Sequence, residues 1–203
     1  MTKHARNDYS IHDLLKRRWS PRAFADRPVG TAMLRSLLEA ARWAPSSYNE
    51  QPWAFLVATR DRPDEFARVL GCLIEFNRTW AGKAPVLMLT FAHLAFDRNG
   101  QPNRHALHDV GLAVANLTVQ ATAEGLAVHQ MAGILPDAIR ETFHVPKDWE
   151  PVSGVAVGYP GDPNSLSDEL RKRELAEPTR KPLASFLFEG DWGSPSPLLP
   201  EKT

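Results

Sequence analysis

The chain predicts a single α+β domain, on three observations. Helix-period and strand-like apolar runs are intermixed along it, one helical run near the middle is apolar on nearly every side, and 203 residues at 43% hydrophobic suffice for one substantial core. Neither an internal repeat nor a low-complexity block interrupts this pattern.

The elements follow in order. Residues 31–43 place Met33, Leu34, Leu37, Leu38 and Ala41 at helical spacing, with Thr31 as the expected cap and Pro45 as the stop. Residues 53–59, aromatic and β-branched, read as a buried strand closed by Asp61-Arg62-Pro63. Residues 63–80 return to helical spacing through Phe66, Val69, Leu70, Leu73 and Phe76, and an apolar strand is expected over 85–91. The longest helical signal, 105–125, leaves little polar surface, so burial on several sides is expected. Its small residues Gly111, Ala113, Ala115, Ala121 and Ala123 admit another helix at close range, from the same subunit or a partner. A strand over 126–131, a helix over 136–143 and a strand over 152–157 come next, before the turn signal Gly158-Tyr159-Pro160-Gly161-Asp162-Pro163. The tail from Asn164 is richer in charge and proline, and wrapping of a neighbour and mobility both stay open.

Composition excludes several classes. Lys plus Arg equals Asp plus Glu at 24 each, so no overall field favours nucleic acid or an acidic membrane. The single cysteine, Cys72, lies in an apolar helix-like run and reads as a core thiol; it permits neither a disulfide framework nor a CxxC metal site. The first residues lack an apolar signal segment, and no run approaches the roughly 20 apolar residues of a spanning helix, so a cytoplasmic protein without a membrane partner is expected. Asn77-Arg78-Thr79 and Asn116-Leu117-Thr118 match the glycosylation pattern by chance on that reading.

Two polar segments carry the chemistry. In Arg18-Trp19-Ser20-Pro21-Arg22-Ala23-Phe24 the residues Arg18, Ser20 and Arg22 alternate, so an extended backbone turns them to one side as a clamp of two guanidinium groups and one hydroxyl. Arginine is the planar, permanently charged donor suited to phosphate or to the edge of a heterocycle. Alone, the segment reads first as a solvated basic helix end. The second segment, Pro45-Ser46-Ser47-Tyr48-Asn49-Glu50-Gln51-Pro52-Trp53, packs hydroxyl and amide groups between two prolines, too polar for a core and more patterned than a simple joining turn.

Together, in this order and about 20 residues apart, the two segments resemble the motifs of the FMN-dependent nitroreductase family. The apolar central helix and Arg180-Lys181-Pro182-Leu183 extend the resemblance over almost the whole chain. It implies a nitroreductase-like fold: a mixed or antiparallel central sheet flanked by helices, in a domain-swapped type of homodimer with the flavin at the subunit interface. One domain would span 1–203, with the tail from about 164 wrapping the partner.

The resemblance implies a role for each matching residue. Arg18 and Arg180 would neutralise the FMN phosphate, Ser20 would bond phosphate or ribityl oxygen, and Arg22 would face the N1 and O2 edge of the ring, where reduction gathers negative charge. Ser46, Ser47 and Asn49 would come from the opposite subunit, with Gln51 supporting their loop; Trp19 and Pro45 complete the two motifs. Asn77 resembles the family's amide near the pyrimidine ring, although the spacing around Trp80 and Lys83 differs. Met131-Ala132-Gly133-Ile134 resembles the segment whose amides reach N5 and O4, with Ala132 where larger relatives often carry Glu. NADH or NADPH would reduce the flavin and leave, and a small electron-poor acceptor such as a nitroaromatic or quinone would follow. This ping-pong order accounts for the lack of a GxGxxG fingerprint. No side chain is then catalytic in the strict sense, and residues 92–105, with Phe96, Arg98 and Arg104, are candidates for the pocket roof.

His105, His108 and Asp109 read as cap and surface residues rather than metal ligands, and Glu124 and His129 as helix-end charges rather than an acid-base pair. Fold resemblance does not determine function. A specialised or binding-only flavin protein, dehalogenase-like or flavin-fragmenting, is therefore the alternative to a reductase, and a flavin-free structural dimer is a third reading.

Overall fold

The computed structural model describes residues 3–199. Seven α-helices and four strands follow one another as α1 (Asp13–Arg17), α2 (Thr31–Arg42), β1 (Trp53–Thr59), α3 (Pro63–Gly71), α4 (Glu75–Ala81), β2 (Val86–His93), α5 (Ala106–Ala123), β3 (Ala127–Met131), α6 (Pro136–Phe143), β4 (Trp149–Gly158) and α7 (Asp168–Leu175). The strands form one antiparallel sheet in the order β1-β2-β4-β3. Among the described residues no helix is long and apolar enough to cross a membrane.

Strand β2 shows why the sheet is covered on both faces. Val86 and Met88 enter one hydrophobic cluster with α2 and α5, whereas Leu87, Leu89 and Phe91 enter another with α3, α4 and α6, because successive side chains alternate across a strand. Helix α5 is the backbone of the first cluster: Val110, Ala113, Val114, Leu117 and Ala121 are all buried. Its opposite face, with Leu107, Gly111, Ala115 and Ala123, is exposed.

Three expectations change. Thr31 is the first helical residue rather than the cap, which is Gly30, and no side chain caps α2. The run 63–80 is two helices, not one. Residues 72–74 leave the helix to pair with 133–135: Cys72 O accepts from Leu135 N at 2.8 Å and Ile74 N donates to Gly133 O at 3.1 Å. Apolar spacing continues across the break, and the tertiary pairing overrides it. Cys72 is buried as expected, and burial raises its thiol pKa. The tail, third, contains a further helix on its own chain, α7, capped by Ser167 Oγ and buried through Leu170 and Glu174. The last four residues of the expected domain and tail, 200–203, lie outside the described residues, as do residues 1 and 2.

Candidate functional site

The arginine segment begins where α1 stops. Arg18 is already extended, with φ −66° and ψ 127°. Pro21 and Ala23 are buried, while Ser20 is exposed and Arg18, Trp19 and Arg22 are half-buried, so the expected alternation holds. The inner side of the segment is tied down in three places. Pro21 O accepts from His129 Nδ1 at 2.8 Å. Ala23 O accepts from Gly161 N, and Ala25 N donates to Tyr159 O, each at 2.9 Å. A side chain at Gly161 would place its Cβ 2.5 Å from the Phe24 carbonyl carbon, so only glycine permits this approach. The third tie is Glu174 on α7, whose buried carboxylate accepts from Arg22 N at 2.9 and 3.1 Å and from Ala23 N at 3.2 Å.

Three arginines gather in this region, Arg18 and Arg22 on the segment and Arg180 near Arg18. Arg18 Nη1 donates to Ser20 Oγ at 3.4 Å. Burial, and then the neighbouring Arg180, lower the Arg18 pKa. Neither arginine, nor Arg22, has a carboxylate within salt-bridge distance among the described residues. Arg22 lies with its guanidinium carbon 6.0 Å from the Trp80 ring centroid, and its buried Nε has no hydrogen-bond partner. Burial lowers its pKa, Glu174 raises it and Arg173 lowers it. Two uncompensated guanidinium groups beside a buried unpartnered donor suit an anion joined to a flat polar ring, and the residues present therefore fit FMN.

Helix α4 makes the floor. Trp80 is buried, its Nε1 is also unpartnered, and its ring lies 4.4 Å from that of His129 and 6.4 Å from that of Phe24. Burial drives the His129 pKa from 6.5 down to about 4, against the bonds to Pro21 and Ser20 carbonyls that raise it, and Arg22 lowers it further. One turn before Trp80, Asn77 Nδ2 donates to Gly133 O at 3.0 Å, so these two side chains share a helix face. A Cβ on Gly133 would sit 2.5 Å from Ile74 Cδ1 and 2.6 Å from Asn77 Nδ2, so any other residue there must displace these two side chains. The amides of exposed Ala132 and of Gly133 donate to no described residue.

The second motif is a strained loop elsewhere on the chain. Tyr48, Asn49 and Gln51 take φ values of 54°, 57° and 53°, left-handed conformations that such residues hold only when their surroundings impose them. The restraints are Asp109 Oδ2 accepting from Ser47 N, Ser46 Oγ accepting from Gln51 N and Asn49 O accepting from Gln51 Nε2, each at 3.0 Å. Pro45 is exposed. Arg98 stacks 4.1 Å from the Tyr48 ring centroid, and Phe96 meets Tyr48 edge-on at 5.7 Å.

One chain keeps the two motifs apart. The loop leads into Trp53, which is in register with Ala92 and, through it, with Glu150 at the start of β4. The arginine segment runs beside Tyr159 to Gly161, past the end of β4. Eight residues of strand at about 3.3 Å each separate the two by roughly 26 Å. Arg18, Ser20, Arg22, Asn77, Gly133 and Arg180 thus belong to one region, and Ser46, Ser47, Asn49 and Gln51 to another.

Sequence reading missed four residues here. Asp109 is not a surface residue but a 2% exposed carboxylate that anchors the loop, while His105 and His108 are exposed. An acid on the buried stripe of an apolar helix was a usable signal. His129 is not a helix-end charge but a half-buried ring packed against Trp80. For Trp80 and Glu174 nothing local marks the role.

Comparison with known proteins agrees with the fold. The nitroreductase family model matches residues 15–159. A Streptomyces coelicolor protein provisionally named NADH dehydrogenase/NAD(P)H nitroreductase is 31% identical over 160 residues, covering 70% of this chain and 78% of its own. The Bacillus subtilis FMN reductase [NAD(P)H] is 25% identical over 169 residues, covering 74% and 66%. A crystal structure described as an oxidoreductase containing FMN superposes with TM-score 0.88 at 35% identity, over 93% of this chain and 96% of that one.

Proposed function

The chain belongs to the nitroreductase family and is an FMN-dependent oxidoreductase, and we propose that it passes hydride from NADH or NADPH to a small electron-poor acceptor, such as a nitroaromatic or a quinone, in a ping-pong cycle. The observation that carries this reading is the set of arginines without a salt-bridge partner among the described residues: Arg18 beside Arg180, and Arg22 with a buried, unpartnered Nε over Trp80.

FMN, when bound, supplies a ring that takes hydride at N5 and returns it to the second substrate. The chain's own groups bind and orient. Arg18, Arg180 and Ser20 would take the phosphate and ribityl end, with Trp19 beside them. Arg22 would serve the N1 and O2 edge, where a fixed cation favours the charge that reduction adds. The amides of Ala132 and Gly133 would serve the N5 and O4 edge, with Asn77 bonded to the Gly133 carbonyl. No side chain acts as acid or base.

The site is completed by a second copy of the chain. Ser46, Ser47, Asn49 and Gln51, with Pro45, are too far from Arg22 in one chain to share its ligand, and the exposed small face of α5, Gly111, Ala115 and Ala123, suits close contact between two helices. The tail beyond Leu175 would lie on that partner. Reliance on NAD(P)H and a lone buried thiol favour the cytoplasm.

The test is the visible spectrum of purified protein supplemented with FMN, before and after anaerobic NADPH, with NADH in parallel. Bleaching by either donor supports the proposal. Bound flavin that stays oxidised refutes it in favour of a binding or specialised flavin protein, and a failure to bind FMN removes the cofactor assignment itself.

A further inference from the structure

We infer that Glu174 is a positioning residue for the flavin: its buried carboxylate fixes the backbone of Arg22 and Ala23 and so aims the Arg22 guanidinium. The inference rests on the reading that Arg22 faces the flavin ring.

Glu174 is 1% exposed and has no salt-bridge partner among the described residues. Its hydrogen bonds among the described residues are three, all from backbone amides: Arg22 N to both oxygens at 2.9 and 3.1 Å, and Ala23 N at 3.2 Å. A buried carboxylate committed to two consecutive amides fixes a short piece of backbone. The geometry favours a carboxylate. Oε1 accepts from both amides, and the closest approach of Arg22 N is to Oε2 at 2.9 Å, where the NH2 of a glutamine would set donor against donor.

Arg22 depends on this anchor. Its Nε has no partner, and the guanidinium rests over Trp80 at 6.0 Å, so side-chain bonds do not hold it and its backbone does. The anchor lies beyond residues 15–159, which carry the family match. It comes from α7, held by its Ser167 cap, by Lys3 Nζ donating to Ala176 O at 2.5 Å and by the Arg6–Glu177 ion pair at 2.6 Å. The C-terminal helix is in this way part of the flavin site without touching the cofactor.

The test is the midpoint potential of FMN bound to the full chain, measured for wild type, E174Q, R22Q and the double variant, with the melting temperature of each apo-protein. E174Q is expected to lower the preference for reduced over oxidised FMN about tenfold, a negative shift of about 30 mV for a two-electron couple. The sign is diagnostic, because loss of a negative charge acting only through its field would move the potential up. R22Q shifts it down, and E174Q adds no further fall in that background. A merely structural Glu174 would lower the melting temperature and leave the potential in place. An unmoved or raised potential in E174Q, with R22Q lowered, overturns the inference and leaves the Arg22 assignment standing. A further fall in the double variant also overturns it. R22Q at the wild-type potential overturns the Arg22 assignment itself. Should E174Q not fold, E174D, which keeps both acceptor oxygens but withdraws them by one methylene, must fall between wild type and R22Q; a wild-type potential there refutes the role.

Discussion

His129 ties the stability of this protein to pH through the same aromatic floor that supports Arg22. Its half-buried ring packs against Trp80 with centroids 4.4 Å apart, Nδ1 donates to Pro21 O at 2.8 Å, and the pKa is depressed from 6.5 to about 4. The folded state therefore holds the imidazole neutral where the unfolded chain protonates it. A depressed pKa contributes stability that is present above 6.5 and is lost as pH falls through the window from 6.5 to about 4. At about 1.36 kcal/mol per pH unit, the full loss is about 3 kcal/mol, of which about 2 kcal/mol has gone by about pH 5. The variant H129N keeps a donor near Pro21 O and cannot take up a proton. Urea unfolding of the apo-protein at about pH 7 and about pH 5 should show wild type losing about 2 kcal/mol more than H129N over that interval. Parallel losses in the two proteins, or a His129 imidazole titrating above about pH 6 by NMR in the folded state, would refute the reasoning.

Other perturbations test separate parts of the site. G133A drives a Cβ to 2.5 Å from Ile74 and 2.6 Å from Asn77; it should cost about 1–3 kcal/mol in urea unfolding and weaken FMN binding in the same preparation. R180A removes one of two neighbouring like charges, so FMN affinity should fall by about tenfold or more while the apo-protein melts no lower than wild type. R22A should impair flavin reduction more than flavin retention, and equal loss of both would contradict its assignment to the ring edge. D109A leaves the Ser47 amide without its acceptor at 3.0 Å; the loop's amide exchange should speed up and stability drop by about 1–3 kcal/mol.

Much of this was legible in one sequence because periodicity and packing agreed. The strand over 53–59 and the helix over 136–143 have the observed bounds, and the apolar helix near the middle is buried as its composition requires. Where long-range contacts compete with local pattern, legibility ends. The apolar spacing of 63–80 is continuous, yet Cys72 and Ile74 leave the helix to pair with Leu135 and Gly133, and no local feature of 72–74 encodes a partner sixty residues away. Glu174 sits in Asp168–Leu175, a helix rich in charge, where one acid looks like any other until the fold buries it.

The sequence by itself determined the family, the cofactor class and the residue types that would hold it, since two motifs of arginine, serine and amide groups are chemistry written locally. Tertiary structure alone decided which of those groups meet. It set Arg22 over Trp80, joined Asn77 to Gly133, brought Arg180 to Arg18 and left the Ser46–Gln51 loop at the other end of the sheet. It also buried Glu174 and Asp109 and packed the half-buried His129 against Trp80. The physical reason is that a side chain's type is carried by its own residue, whereas its burial, its partners and its pKa belong to atoms that only folding brings near.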